Sequence, residues 1–340
     1  MKSKKILLIH INGRLDTDNF DRIVPILRKQ GHVCHVGGAD HRGSMGKYDA
    51  LIVGEDWDKI NGTRVAEAKN SGLKTVLLQS EGLFTDRSKW YRGKVPVCDG
   101  VATWGSVHEE IFRDRGYKGL IDICGPARYD IYYNFKPSVD KASIAKTIGI
   151  SANKSILTFM TQIFDIGDTK KLHRIQKTIT EMFARLASIP SAHAVIKIHP
   201  QEIDGAKTKW TRTGIAKAAN PKCMVIDPGG HDFSVYTPDL IYHSAIIVSY
   251  TSSTLFEASM LGTPAVCVSP TGEELTPNHK KLGTAEIVFD EKGLIGFVND
   301  NINTRVRQDN TPFLRKFLPG EIDGQNTKRC IDLINKVIGS

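Results

Sequence analysis

Short apolar runs recur along the chain, each closed by polar or glycine-containing residues and followed by a stretch of helical spacing. Ile6–Ile11, His32–Val36, Ala50–Val53, Thr75–Gln79, Gly100–Thr103 and Leu120–Ile123 have strand length, and Ala50–Val53 leads into an acidic loop. Helical periods fall between them, from about Asp18 to Gln30, over Thr63–Asn70 and over Val107–Arg115. Gly125-Pro-Ala-Arg-Tyr-Asp130 breaks this alternation, and the polar stretch from Tyr133 to about Lys154 reads as a linker. The pattern then restarts with a strand over Ser155–Met160, a helix over Lys171–Ala187, strands over Ala194–Ile198 and Cys223–Ile226, and finally an amphipathic helix over Asn326–Ile338. Strands alternating with helices predict an α/β protein with mainly parallel sheets, doubly wound in two halves joined near residue 140 with a cleft between them.

The most informative segment is Ala245–Val268. An apolar run ends in Ser249, Tyr250, Thr251, Ser252, Ser253 and Thr254, a helical stretch stops at Gly262, and a second apolar run begins at Pro264. This reads as strand, turn, helix, strand, with hydroxyls beside the free N–H groups of a helix N-terminus, where a phosphate is favoured. Thr254-Leu-Phe-Glu257 also has the form of a capping box. Capping does not require the further hydroxyls, which favours a ligand role for Ser252 and Ser253; Glu257 could accept bonds from ribose hydroxyls.

Ligands of open α/β sheets bind beyond the carboxyl ends of strands. Four polar clusters fall at such ends: His10 with Asn12, Glu81, His199, and Tyr250 to Ser253. If the two sheets face one another, these clusters converge. In Lys197-Ile-His-Pro200 the imidazole either donates to a phosphate or satisfies a loop carbonyl. Glu81 before Gly82 is either a general base toward an acceptor hydroxyl or a solvated turn carboxylate. Asp16-Thr-Asp18 fits an N-cap at Asp18 better than a metal site. Zinc spacing, a phosphate-binding Gly-x-x-x-x-Gly-Lys loop and a Gly-x-Gly-x-x-Gly turn after the first strand are all missing from the sequence.

Composition narrows the partners. The formal charge of +9 suits an acidic acceptor, a phosphorylated substrate or an anionic membrane surface, and the dispersed basic residues come without a nucleic-acid-binding signature. The six cysteines are scattered and read as reduced core thiols. With no apolar run near the ~18 residues of a membrane span, the expected location is the cytoplasm, peripherally on the inner face of the membrane.

Ser80-Glu-Gly82, Gly125-Pro-Ala-Arg-Tyr-Asp130, Lys197-Ile-His-Pro200, Tyr250-Thr-Ser-Ser-Thr-Leu-Phe-Glu257 and the ending Gly320-Glu-Ile-Asp-Gly-Gln-Asn-Thr-Lys-Arg-Cys-Ile331 occur in this order. Together they resemble the GT-B-fold transferases of bacterial surface polymers: the CDP-glycerol glycerophosphotransferases and the CMP-sialic acid or CMP-Kdo capsule glycosyltransferases. That resemblance implies two Rossmann-like domains facing across a cleft. Residues 1–140 would form the acceptor side, 141–320 would bind the nucleotide donor, and 321–340 would be a helix packing back on the N-terminal domain. It implies a glycosyltransferase that moves a sugar from a nucleotide-activated donor to a glycan or polymer hydroxyl, with no cofactor and no metal requirement. Glu81 would be the base, His199 would contact donor phosphate, and Thr251, Ser252, Ser253, Thr254 and Glu257 would complete the donor site. Asn12, Gly13 and Arg128 are further candidate contacts. Alternative readings are a CDP-glycerol-type glycerophosphotransferase, a catalytically silent binding subunit, and an isomerase similar to UDP-N-acetylglucosamine 2-epimerase. The last shares the fold and the Asp-Gly ending but has Ser-Gly-Gly where this chain has Thr251-Ser-Ser253.

Overall fold

Lys5–His10 forms strand β1, in which Ile6, Leu7, Leu8 and Ile9 are all buried. Side chains of a strand alternate between its faces, so an unbroken apolar run suits a strand covered on both sides. Ile6 and Leu8 join Phe20, Ile23 and Leu27 of helix α1 (Arg14–Lys29) in one core. Leu7 and Ile9 join Val65 of α2 (Lys59–Asn70) and Phe112 of α3 (Ser106–Asp114) in another. The computed structural model describes residues 2–10, 14–38, 41, 43–56, 59–80, 95–162, 169–199, 218–219, 221, 223–226, 235–272, 278–304 and 311–339. Asn12, Gly13 and Glu81 lie outside them.

The chain divides into two compact units, Met1–Asn134 with Thr311–Ser340, and Phe135–Asn310. In the first, β2 (Val33–Gly38), β1, β3 (Ala50–Val53), β4 (Lys74–Leu78), β5 (Gly100–Thr103) and β6 (Leu120–Ile123) lie side by side in that order, all parallel. The end of the chain belongs to this unit. Helix α11 (Asn326–Gly339) buries Leu333, Ile334 and Val337 in the core that holds Ile6 and Leu8. Its first turn is held by Asp130, whose carboxylate accepts from Asn326 N and Thr327 N at 2.8 Å each. A negative charge is stabilising at a helix N-terminus, so the Gly125–Asp130 motif serves as the seat of α11.

In the second unit β9 (Met224–Ile226), β8 (Ala192–Lys197), β7 (Ser155–Met160), β10 (Ile246–Ser249), β11 (Ala265–Val268) and β12 (Glu286–Val288) form a second parallel sheet. Its strand order is that of dinucleotide-binding sheets, and the order reverses between β7 and β10. Helices α4 (Lys141–Ile148), α5 (Thr169–Arg185), α6 (Thr237–His243), α7 (Thr254–Leu261), α8 (His279–Leu282) and α9 (Glu291–Asn301) accompany it. One core gathers Leu157, Val195, Val248 and Val266 of the strands with Ile179, Leu240, Leu255 and Leu294 of the helices.

Three local expectations are corrected. The expected linker contains α4, capped by Asp140, which accepts from Ser143 N at 2.7 Å, and anchored by buried Ile144 and Ile148. Four apolar residues in a polar stretch were too few to outline it. Helix α1 begins at Arg14, so Asp18 is inside the helix rather than at its N-cap. Helix α7 begins at Thr254 with Ser253 at the N-cap position, so the predicted capping box is not formed. Ser252 Oγ instead accepts from Thr254 N at 3.3 Å. At the other end, Gly262 takes a φ of +69°, as the helix-stopping glycine was expected to do.

His279 supplies a pH test of the second unit. Its ring is buried, 4.8 Å from the Phe256 ring, with Nδ1 3.0 Å from Thr284 Oγ1, and burial pushes its pKa down to about 3 from 6.5. The folded state therefore resists protonation that the unfolded state accepts. Stability is unaffected by this group above pH ~6.5 and falls as the pH drops toward ~3, by up to ~1.4 kcal/mol per pH unit. His279→Phe is expected to flatten the acid limb of a melting-temperature profile; an unchanged slope would assign that limb to other groups.

Candidate functional site

The carboxyl ends of β8, β7 and β10 are joined in a row. Beyond β8, His199 N donates to Thr161 Oγ1 at 2.8 Å, and Thr161 N donates to Lys197 O at 3.0 Å. The next residue, Gln162, reaches across the sheet reversal. Its Oε1 accepts from Thr251 N at 2.8 Å and its Nε2 donates to Thr251 Oγ1 at 2.7 Å. With neighbouring strands about 4.8 Å apart, this row sets His199 and Thr251 on one edge, about two strand spacings from each other.

The hydroxyl run divides by burial. Ser249 is fully buried and donates to Met160 O at 2.8 Å, locking β10 to β7. Tyr250 is buried and its carbonyl receives the Cys267 thiol. Thr251, Ser252, Ser253 and Thr254 are half-buried at the N-terminus of α7, with Glu257 in its first turn. The helix dipole adds partial positive charge there. His199 is half-buried, and its pKa is pushed down to about 4, chiefly by burial and further by the Lys197 ammonium. It is therefore neutral at pH 7 and offers a hydrogen bond rather than a cation. A bound anion would raise that pKa.

In the first unit, the candidate contact Arg128 is buried. Its guanidinium lies 4.9 Å from the Trp104 ring centre and 5.0 Å from that of Tyr129, and Nη1 donates to Ser80 O at 3.0 Å. Gln79 binds the neighbouring strand end: its Oε1 accepts from Trp104 N at 3.1 Å, and Trp104 Nε1 donates to its carbonyl at 2.7 Å. The two residues preceding Glu81 are thus fixed by β5 and by the Gly125–Asp130 motif.

Sequence reasoning passed over three residues. Gln162 carried only a faint signal, a polar pair ending the apolar run of β7. Glu55 and Asp56, seen in the sequence as an acidic loop, are both buried just beyond β3. Ser80 Oγ approaches Glu55 Oε1 at 3.5 Å. Asp56 Oδ2 accepts from Val97 N at 2.7 Å and Cys98 N at 3.2 Å, while Oδ1 is buried without a hydrogen-bond partner among the described residues. Burial raises the Asp56 pKa and outweighs those backbone bonds, which leaves it suited to carrying a proton. Among the described residues, no group of three His, Cys, Asp or Glu side chains is placed to hold a metal ion. Among them also, no helix is long and apolar enough to cross a membrane.

No protein-family model matches the chain, and no curated protein matches its sequence. Solved structures do match its fold. The UDP-GlcNAc 2-epimerase of Methanocaldococcus jannaschii is 15% identical with a TM-score of 0.66, covering 98% of this chain and 99% of its own. MnaA of S. aureus, solved with UDP, is 13% identical with a TM-score of 0.67, covering 99% and 97%. The wall teichoic acid polymerase TagF is 12% identical with a TM-score of 0.61, covering 100% and 90%. The two parallel sheets, each flanked by helices, are the two Rossmann-like domains of a GT-B fold.

Proposed function

We propose that the chain is an enzyme acting on a nucleoside diphosphate sugar, and that it inverts a sugar carbon in the manner of a UDP-N-acetylglucosamine 2-epimerase. The observation that carries this reading is the joined row at the reversal of the second sheet, where His199, Thr251, Ser252 and Ser253 offer neutral donors beside the N-terminus of α7. Such a site suits the phosphates of a nucleotide. The similar structures include such an epimerase and a protein solved with UDP.

Inverting a carbon requires a proton to leave one face and another to arrive at the opposite face, so it needs more than one acid–base group. A transferase that activates one acceptor hydroxyl needs a single base. The glycosyl- or glycerophosphotransferase is the second reading, favoured by the paired hydroxyls Ser252 and Ser253 and by the likeness to TagF.

Incubation with UDP-N-acetylglucosamine in deuterated water separates the two. The first reading expects a second hexosamine epimer carrying deuterium at C2 by proton NMR. A transferase instead leaves the sugar unchanged until an acceptor is supplied, then releases nucleotide. A thermal-shift series with UDP, CDP, CMP and GDP names the nucleotide, since a ligand at about 100 times its Kd stabilises by about 2.7 kcal/mol. No stabilisation by any of the four would sink both readings.

A further inference from the structure

We infer that Gln162 is a positioning residue that turns the Thr251 hydroxyl hydrogen outward to a ligand, so that this edge favours the accepting oxygens of a phosphate. The inference rests on the nucleotide reading above and deepens it. Thr251 N is a backbone amide and can only donate, so the Gln162 atom 2.8 Å from it must be Oε1. The opposite end of the side chain is then Nε2, which can also only donate. At 2.7 Å from Nε2, Thr251 Oγ1 must accept.

The orientation of an amide is ordinarily ambiguous between its oxygen and nitrogen; here the backbone removes the ambiguity. Ser249 Oγ lies 3.3 Å from the same oxygen, while its single hydrogen goes to Met160 O at 2.8 Å. A hydroxyl has one hydrogen, and that of Thr251 is not used toward Gln162. None of the described residues accepts it. Thr251 is half-buried at the mouth of the row, so its hydrogen is left for a ligand. Ser252 repeats the arrangement, its Oγ accepting from Thr254 N at 3.3 Å and keeping its own hydrogen. Each of these hydroxyls accepts one bond from the protein and keeps its hydrogen, which suits a ligand oxygen that accepts.

Gln162→Glu tests this, because a carboxylate cannot donate. It would accept from both Thr251 N and the Thr251 hydroxyl, turning that hydrogen away from the ligand and adding a negative charge. At pH 8, UDP affinity measured by calorimetry is expected to fall about 10- to 100-fold relative to wild type, while affinity for uridine, which has no phosphate, changes little. A protonated carboxyl donates as the amide does. The ratio of variant to wild-type UDP affinity should therefore recover as the pH is lowered toward 5, which a merely structural defect would not produce. Thr251→Val removes the same donor and is expected to lose UDP affinity to a similar extent at every pH, and it carries the test should Gln162→Glu fail to fold. UDP binding by both variants within about twofold of wild type would overturn the inference. Failure of wild type itself to bind UDP, CDP, CMP or GDP would instead remove the nucleotide reading on which the inference rests.

Discussion

Glu81→Gln is expected to lower turnover of a nucleotide-activated sugar by about 10²- to 10⁴-fold, the usual contribution of a positioned acid–base group. Nucleotide affinity should stay within about twofold, because the phosphate donors assigned above belong to the other unit. The surroundings give this prediction its sharpness. Gln79 is bonded through both its amide oxygen and its carbonyl to Trp104, and the Ser80 carbonyl is held by an Arg128 guanidinium packed on two aromatic rings. The chain is therefore held in place as far as Ser80, and an isosteric amide changes the proton chemistry of the side chain without altering its size. A loss shared equally between kcat and kcat/KM would mark an interaction made only in the transition state. Unchanged turnover would show that Glu81 is not the base.

The largest effect on stability is expected at Gly105→Ala. Gly105 is the N-cap of α3, with extended backbone at φ −154° that any residue can adopt. The difficulty is space. A Cβ there would lie 2.3 Å from Lys316 O and 2.6 Å from the carbonyl carbon of Phe317, at the end of helix α10 (Thr311–Phe317). These are backbone atoms, so no side-chain rotation relieves the overlap. The whole α10 end must move, although Phe317 is buried, stacked on Phe313 and set edge-on to His108. Overpacking of this kind costs about 3 kcal/mol, which calorimetry should register as a melting temperature lower by roughly 6–12 °C for a unit of this size. Gly296→Ala in α9 is the control. Nothing lies within 4 Å of its added Cβ, and replacing a helical glycine should stabilise by about 0.5–1 kcal/mol. If both variants melt with wild type, the contact between Gly105 and α10 is not tight.

The strands were legible because burial on both faces writes a continuous apolar run into the sequence, as in Ile6–Ile9 and Ile246–Val248. The turn from β10 into α7 was legible for the same reason, with Gly262 marking its far end. What the sequence concealed depended on partners distant along the chain. Gln162 becomes meaningful only when β7 pairs with β10, which brings it to a residue 89 positions away. Glu55 and Asp56 read as an acidic loop; their burial was not visible there, since Asp56 is bonded by Val97 and Cys98, some forty residues on. Arg128 was a candidate contact by its place in the Gly125–Asp130 motif; the packing of its guanidinium on two aromatic rings and against a carbonyl of its own unit was not visible in the sequence. The capping box failed by a single residue, since Ser252 could serve the first turn while the helix started at Thr254.

The return of α10 and α11 to the first sheet sets an order on biosynthesis. Phe135–Asn310 is one uninterrupted segment and has all of its parts once it has left the ribosome. The sheet begun by β1 does not, because Leu333, Ile334 and Val337 are translated only after the whole second unit. At ordinary elongation rates the nascent N-terminal half waits roughly 10–40 s for them, with the apolar surface around Ile6, Leu8 and Val76 uncovered. The half made first is the half finished last, and chaperones that capture emerging polypeptides have that interval in which to engage it.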